Sequence, residues 1–525
     1  MGSGLRSRSK SKTTSNDTNN NNNNNNIKEN KNRMPMWMRK VLLGLGFWVH
    51  AMRCFPWMGF NFFLKDSLKV DSSTPQLLQN SANLPMVAKP IYGLLSDSIY
   101  IASQHRISYI AIGAFLQAVS WIAITILSSS NISFFKIILY LLLGNFGALI
   151  VEVANDAIVA ETGKQPSASS KNSQMSSLGE PQSFVWIASS IGGVLRNMLG
   201  GVAVDRFSPQ AMFFLFGVIL TMQFFITVLI RESSLNLPKS PSNVGIRKQL
   251  SELLVALRKP EIAHSITWFA ASHAIIPALT GTVFFYQTRH LDIDSSVLVV
   301  SKVNVALGVA YNQHLMSVPL KKLISAIQLT MAVFMVSDVL FVKGIYRRMG
   351  MPDSVYVLVF SGLLEVMCFF KILPFSFLVA QLCPPGYEGC RMAFLTSSIA
   401  LAFIVSGYLG VALASYVGVT GNDFSGLSCG FIVQAACTLL PLFWSSCIPD
   451  VPKTKRKGQL GKYEIGLKIL KLEEIVIEWY SWIDKSLIGG KLYLYWALAH
   501  PAWDTIFRYR CHAASKNRLP TFKIN

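Results

Sequence analysis

The chain has 525 residues, of which 51% are hydrophobic and 14% charged, whereas soluble domains carry roughly 25% charged residues. The deficit is concentrated in stretches such as 41–64, 107–128 and 427–448; a soluble core has room for one such helix but not for a dozen, which excludes a soluble globular protein. The formal net charge of +21 lies largely in the N-terminal tail, the 231–259 loop and the C-terminal tail, where an anionic lipid surface is a sufficient partner, so nucleic-acid binding is not expected.

Residues 1–40 are rich in Ser, Asn and Lys and hold an unbroken asparagine run over 19–26. With no apolar face to bury, this tail is expected to be disordered. Its basic, acid-poor start suits both a solvated tail and an organelle transit peptide, which leaves the plastid envelope, the plasma membrane and other endomembranes open. Arg6 stands where a myristoylation site needs Ser or Thr.

Apolar segments then predict spans over 41–64, 76–100, 107–128, 133–160, 182–204 and 211–230, each fit to cross roughly 30 Å of hydrocarbon. A polar loop over 231–261 follows, with Pro238, Pro241, Arg247, Lys248, Arg258 and Lys259. Further spans cover 262–287, 296–318, 323–345, 353–382, 390–418 and 425–447. Six spans, a long basic loop and six more give an all-α integral membrane protein. The layout is that of a twelve-helix major facilitator bundle, with two six-helix halves (41–230 and 262–447) of inverted three-helix repeats. Basic tails and a basic central loop put both termini and 231–261 on the cytoplasmic side. Residues 448–525 are a basic amphipathic tail, in which 463–483 suits an in-plane helix and 487–503 falls short of a thirteenth span. The eight cysteines form no Cys-x-x-Cys pair or zinc spacing, so neither a disulfide framework nor a metal or cofactor site is expected.

Nine ionisable residues fall inside these spans: Arg53, Lys89, Glu152, Asp156, Arg196, Lys302, Asp338, Glu365 and Lys371. At roughly 2.5 kcal/mol each against lipid, the total exceeds about 20 kcal/mol, more than a domain's usual net stability of about 5–15 kcal/mol. They must therefore face one another or a water-filled cavity. In such a bundle the third, sixth, ninth and twelfth spans stand outside the central path, and of the nine residues Asp338 alone lies on one of these. Structural ion pairs that lock the bundle are the competing reading. Glu152 and Asp156 are four apart and share a helix face; two acids so placed repel each other when both are ionised, which is the physics of a proton-carrying site. Glu161, near the end of the same span, is expected to act as a gate or loop contact.

Gly93-x-x-x-Asp97 closes the second span and Gly201-x-x-x-Asp205-Arg206 the fifth, with a weak echo at Gly308-x-x-x-Asn312. Glycine lets helices approach, and the acid accepts from a neighbouring helix N-terminus or pairs with arginine. Pro56, Pro85, Pro90 and Pro277 interrupt spans, as transporter helices tolerate. Phe55, Trp57 and Phe60 surround Arg53 and suggest either a stacking wall for a flat ligand or, for Trp57, an interfacial anchor.

The runs Arg53-Cys-Phe-Pro-Trp57, Leu84-Pro-Met-Val-Ala-Lys-Pro-Ile-Tyr-Gly-Leu-Leu-Ser-Asp97 and Asn155-Asp-Ala-Ile-Val-Ala-Glu161 resemble the folate–biopterin transporter family. So do Leu382-Cys-Pro-Pro-Gly386 with Glu388-Gly389, and Asp423-Phe-Ser425; the resemblance covers about 36–449. It implies a major facilitator relative that moves folates or reduced pterins by proton symport; a monomer is expected. Lys89, Pro90, Gly93 and Asp97 match the second-span block, and Asn155, Asp156 and Glu161 the fourth-span block. Ser98 replaces the first arginine of the general major facilitator loop and an insert precedes Arg106, which puts that loop's usual salt bridge in doubt. A pterin's paired donors suit a carboxylate from Glu152, Asp156 or Glu365. The dianionic glutamate tail of folate suits Arg53, Lys89, Arg196 or Lys371.

Two other functions compete: transport of another organic anion or nutrient on the same fold, and a membrane sensor or scaffold that transports nothing. No catalytic-triad, His-Glu-x-x-His or phosphate-loop pattern supports an enzyme or an ATP-driven pump.

Overall fold

The computed structural model describes residues 36–99, 106–126, 134–163, 206–230, 260–293, 320–365, 388–419 and 423–447, with isolated positions between them. Apart from one isolated bridge between Ile101 and Gln104, the described elements are helical. Six of the helices are long and apolar enough to cross a membrane. The tails and most of the central loop, including the 463–483 and 487–503 segments, lie outside the described residues.

The prolines break the helices where expected. α1 (Met36–Met52) and α2 (Cys54–Phe62) are separated at Arg53; Pro56 has no N–H to return to the Met52 carbonyl. The second expected span consists of α3 (Thr74–Ala82), a 3-10 turn (Leu84–Ala88) and α4 (Lys89–Ser98). Pro75, Pro85 and Pro90 each stand in the first turn of their piece, where a missing N–H costs nothing. α5 (Ile107–Ile126), α6 (Phe134–Gly163) and α7 (Pro209–Leu229) run unbroken. α5 packs against both α6 and α7. Gly113 and Gly147 allow the α5–α6 approach, since a methyl on either would meet the other's carbonyl at 2.6 Å.

Ser208 caps α7 by accepting from Ala211 N–H at 3.3 Å. Ser208→Ala is expected to cost about 1 kcal/mol, read as a lower melting temperature in detergent with transport retained.

α8 (Pro260–Ala274) and α9 (Thr280–Phe285) are parted by the Pro277 segment. α10 (Leu320–Val342), α11 (Ile345–Arg348), α12 (Asp353–Tyr356), α13 (Glu388–Tyr416) and α14 (Leu427–Leu439) complete the order. Ahead of α14, the Asp423 carboxylate accepts from Ser425 N–H at 2.9 Å. That bond, with one from the Ser425 hydroxyl, holds the Asp423 carboxyl below its usual range.

A pair of irregular turns recurs. α2 runs into a π turn, Phe63–Ser67, followed by Leu68 and by Lys69 in the left-handed region (φ 49°). α9 runs into a π turn, Tyr286–His290, followed by Leu291 and by Asp292 (φ 48°). The closing bonds match as well: Leu68 N–H to Phe63 O and Val70 N–H to Leu64 O, against Leu291 N–H to Tyr286 O and Ile293 N–H to Gln287 O.

One apolar core joins Trp57, Phe60, Phe63, Trp121, Phe213 and Phe216, and another joins Phe285, Tyr286, Phe341, Tyr356 and Phe424. The first corrects both readings of the aromatic cluster near Arg53. Phe55, Trp57 and Phe60 are buried, and Trp57 meets Trp121 edge-on at 6.0 Å. Trp57 meets α5 and Phe60 meets α7 through Phe213, and all three belong to the core rather than to a ligand wall or an interfacial anchor. Asp338 on α10 is buried and accepts from the Tyr356 hydroxyl at 3.0 Å, a structural partnership apart from the other charges. Exposed Phe115, Phe214, Met222, Phe225, Val333 and Phe443 give the outside an apolar character suited to lipid.

Candidate functional site

The helix breaks place the charges. Lys89 opens α4 with Pro90 next in its first turn, so this cation stands at a helix N-terminus, where the backbone dipole disfavours it. Glu152 of α6 compensates by pairing with Lys89 directly, and both side chains are nearly buried. Asp156 lies one turn further along α6, close enough to feel the charges of Glu152 and Lys89. Among the described residues it makes no hydrogen bond or ion pair of its own. Lys89 thus serves one carboxylate, and a second stands beside it without a cation.

Neighbouring amides tie this cluster to the rest of the bundle. Arg53, at the α1–α2 break, donates to Asn145 Oδ1 at 2.5 Å and to Asn83 Oδ1 at 3.4 Å. Asn145 in turn donates to the Ala82 carbonyl at 2.6 Å. The guanidinium thereby joins the first, second and fourth spans without a carboxylate. Asn155 is buried against Gly46, where a methyl would come within 2.8 Å of its amide. A small cleft beside the cluster is lined by Val49, His50, Arg53, Gln117, Ala148, Val151 and Gln223. His50 lies near enough to Glu152 to feel its charge.

Four of the expected binding and coupling residues, Arg53, Lys89, Glu152 and Asp156, therefore gather in one place. Arg196 reaches the Ala51 carbonyl of α1 at 3.5 Å. Glu365 is half-buried elsewhere. Lys371 is fully buried and donates to the Ser272 carbonyl at 3.0 Å, near the C-terminal end of α8. Pro90 and Gly93 belong to α4, with Gly93 facing Val153 of α6. Asp97 and Glu161 sit at the ends of α4 and α6, but their side chains, together with Asp205, Lys302, Gly201, Gly308 and Asn312, lie outside the described residues. Arg206 is exposed next to α7.

The sequence reading passed over several residues. His50 and His273 were invisible to a count of permanent charges, although a histidine in a span deserves the same question. Asn145 carries no charge and gave no signal. Arg106, beyond the loop insert, is buried and donates to Ser96 Oγ at 2.7 Å, and Ser96 bonds the Gly93 carbonyl at 3.0 Å. The turn after α4 is thus fastened back onto the glycine motif.

A profile of the BT1 family matches residues 51–464. The chain is 58% identical over 424 residues to "Probable folate-biopterin transporter 7" of Arabidopsis thaliana, covering 80% of this chain and 95% of that one. It is 40% identical over 431 residues to "Probable folate-biopterin transporter 8, chloroplastic" of the same plant, covering 80% and 78%. Among solved structures, the crystal structure of a D-xylose–proton symporter is similar, with a TM-score of 0.56 at 14% identity, covering 80% of this chain and 99% of that one. Likeness at that identity shows the fold alone: a multi-pass helical membrane bundle.

Proposed function

This chain belongs to the BT1 family, and on that footing we propose that it is a secondary transporter carrying folate or a reduced pterin across a membrane, by proton symport with alternating access. The names of its relatives support the cargo. Six apolar helical stretches, the last of them α14 with the 3-10 segment that follows it, and the proline-interrupted pieces between them support a count of twelve spans. The matching π turns of α2 and α9 support two related halves.

One observation carries the mechanism: among the described residues Asp156 has no ion-pair partner, and it stands on α6 a turn from Glu152, whose partner Lys89 lies at a helix break. A carboxylate without a cation in such surroundings is the group fitted to take up and release a proton, or to accept the paired donors of a pterin. A scaffold would gain nothing from holding an unpaired acid there. Half-buried Arg53, already held by amides, and buried Lys371, bonded near the end of α8, are the cations to test for the anionic tail of folate. Glu365 and Arg196 complete that list. We assign Asp97 and Glu161 to gating at the cytoplasmic end, where the basic loop and tails meet anionic lipid, and Asp205 and Arg206 to gating at the opposite end.

The test is uptake of radiolabelled folate and pterin into cells that lack a carrier of their own, with and without an inward proton gradient. Saturable uptake of at least one, raised by the gradient, is expected. Protein present in the membrane with uptake of neither would redirect the search to other organic anions.

A further inference from the structure

The break between α8 and α9 leaves backbone groups that a membrane interior cannot hydrate, so each needs a partner from the protein. Those partners come from three places. Lys371 donates to the Ser272 carbonyl at 3.0 Å. Ser406 of α13 donates through Oγ to the Ile276 carbonyl and accepts from Ala278 N–H through its own carbonyl at 3.0 Å. The third partner, Gln76, belongs to α3, in the other set of six spans. Its Nε2 donates to the carbonyls of Ala278 at 2.6 Å and Gly407 at 2.8 Å. Its Oε1 accepts from Gly281 N–H at 2.8 Å. Gln76 is itself buried, with both ends of its amide engaged.

The surroundings continue the seam. One turn along α3, Asn80 sits against Gly407 so closely that a methyl there would overlap its amide. Ser81 Oγ lies 3.0 Å from the Tyr408 hydroxyl. At the same end of the bundle, Phe62 meets Phe284 at 5.1 Å, and Arg289 reaches the Lys65 carbonyl at 3.4 Å. This end holds the 68–73 turn, opposite the end of the basic central loop.

We propose that Gln76 is the latch of the gate at this end: the first set of spans closes the path by supplying a carboxamide to the α8–α9 break, and opens it by withdrawing that carboxamide. Only a side chain with a donor and an acceptor on one rigid plane completes both Ala278 and Gly281 at once. On withdrawal those two groups pass to water, which makes the step reversible. Lys371 and Ser406 stay with the break throughout, so the half-helices remain capped while the seam parts. The latch rests on the alternating-access reading above.

Two measurements test it in the full-length protein. Labelling of Ser81→Cys by a membrane-impermeant maleimide, added on the side of the 68–73 turn, is expected to be faster in Gln76→Leu than in the parent by on the order of tenfold. An Asn80→Cys/Gly407→Cys pair, which leaves Gln76 intact, is expected to cross-link spontaneously and to halt uptake until reduced. Unchanged labelling in a Gln76→Leu protein of parental melting temperature would overturn the latch. So would full uptake by the cross-linked pair, which decides the matter even where Gln76→Leu fails to fold. If labelling responds while the parent carries neither folate nor pterin, the cargo is wrong and the latch stands.

Discussion

Glu152→Gln is expected to lower the stability of the folded protein by about 3–5 kcal/mol, because it strands the Lys89 ammonium in a buried position with no counter-charge. The penalty belongs to the orphaned cation more than to the lost attraction. Lys89 already sits at the start of α4, where the helix dipole opposes it. Removing both charges together, in Lys89→Met/Glu152→Gln, should therefore recover much of the loss, since neutral groups of similar size carry no such desolvation cost. Melting temperatures of the single and double variants in one detergent decide the point. Equal destabilisation of the two would show that Lys89 finds another partner, with Asp156 the nearest on offer.

Asp156→Asn is expected to abolish accumulation driven by a pH gradient while sparing exchange of substrate at equal concentrations on the two sides. Exchange needs the path to open and close but no net proton movement; accumulation needs a group that carries the proton across. Asp156 is suited to that task because Lys89 is paired with Glu152 and, among the described residues, no ion pair engages Asp156. The asparagine keeps the shape and removes the exchangeable charge. Counterflow and pH-jump uptake in reconstituted vesicles separate the two behaviours. Full proton-driven uptake in the variant would end the coupling role of Asp156 and move attention to Glu365.

Much of the architecture was legible because it rests on local chemistry. Hydrocarbon length set the spans, and a missing N–H set the breaks at Pro56, Pro85, Pro90 and Pro277. That charges within the spans face one another or a cavity was expected from the cost of leaving them to lipid, but that Lys89 pairs with Glu152 was not. What stayed hidden depends on rotation about the helix axis. Phe55, Trp57 and Phe60 read as neighbours of Arg53 because they adjoin it in the chain, yet all three are buried in a core shared with α5 and α7. In a uniformly apolar helix, no polar face marks which side turns to the core. Neutral amides were the other blind spot. Gln76 and Asn145 tie separate spans together, but a search for charge does not register them.

The paired π turns fix how two helices stop. Each is wider than an α turn, and each is followed two residues on by a non-glycine residue in the left-handed region, which ends the helix. That conformation costs such a residue about 1–2 kcal/mol, so the closing bonds to the Phe63, Leu64, Tyr286 and Gln287 carbonyls are what hold Lys69 and Asp292 in place. The two turns touch where Arg289 donates to the Lys65 carbonyl, an acceptor that any residue at position 65 would supply.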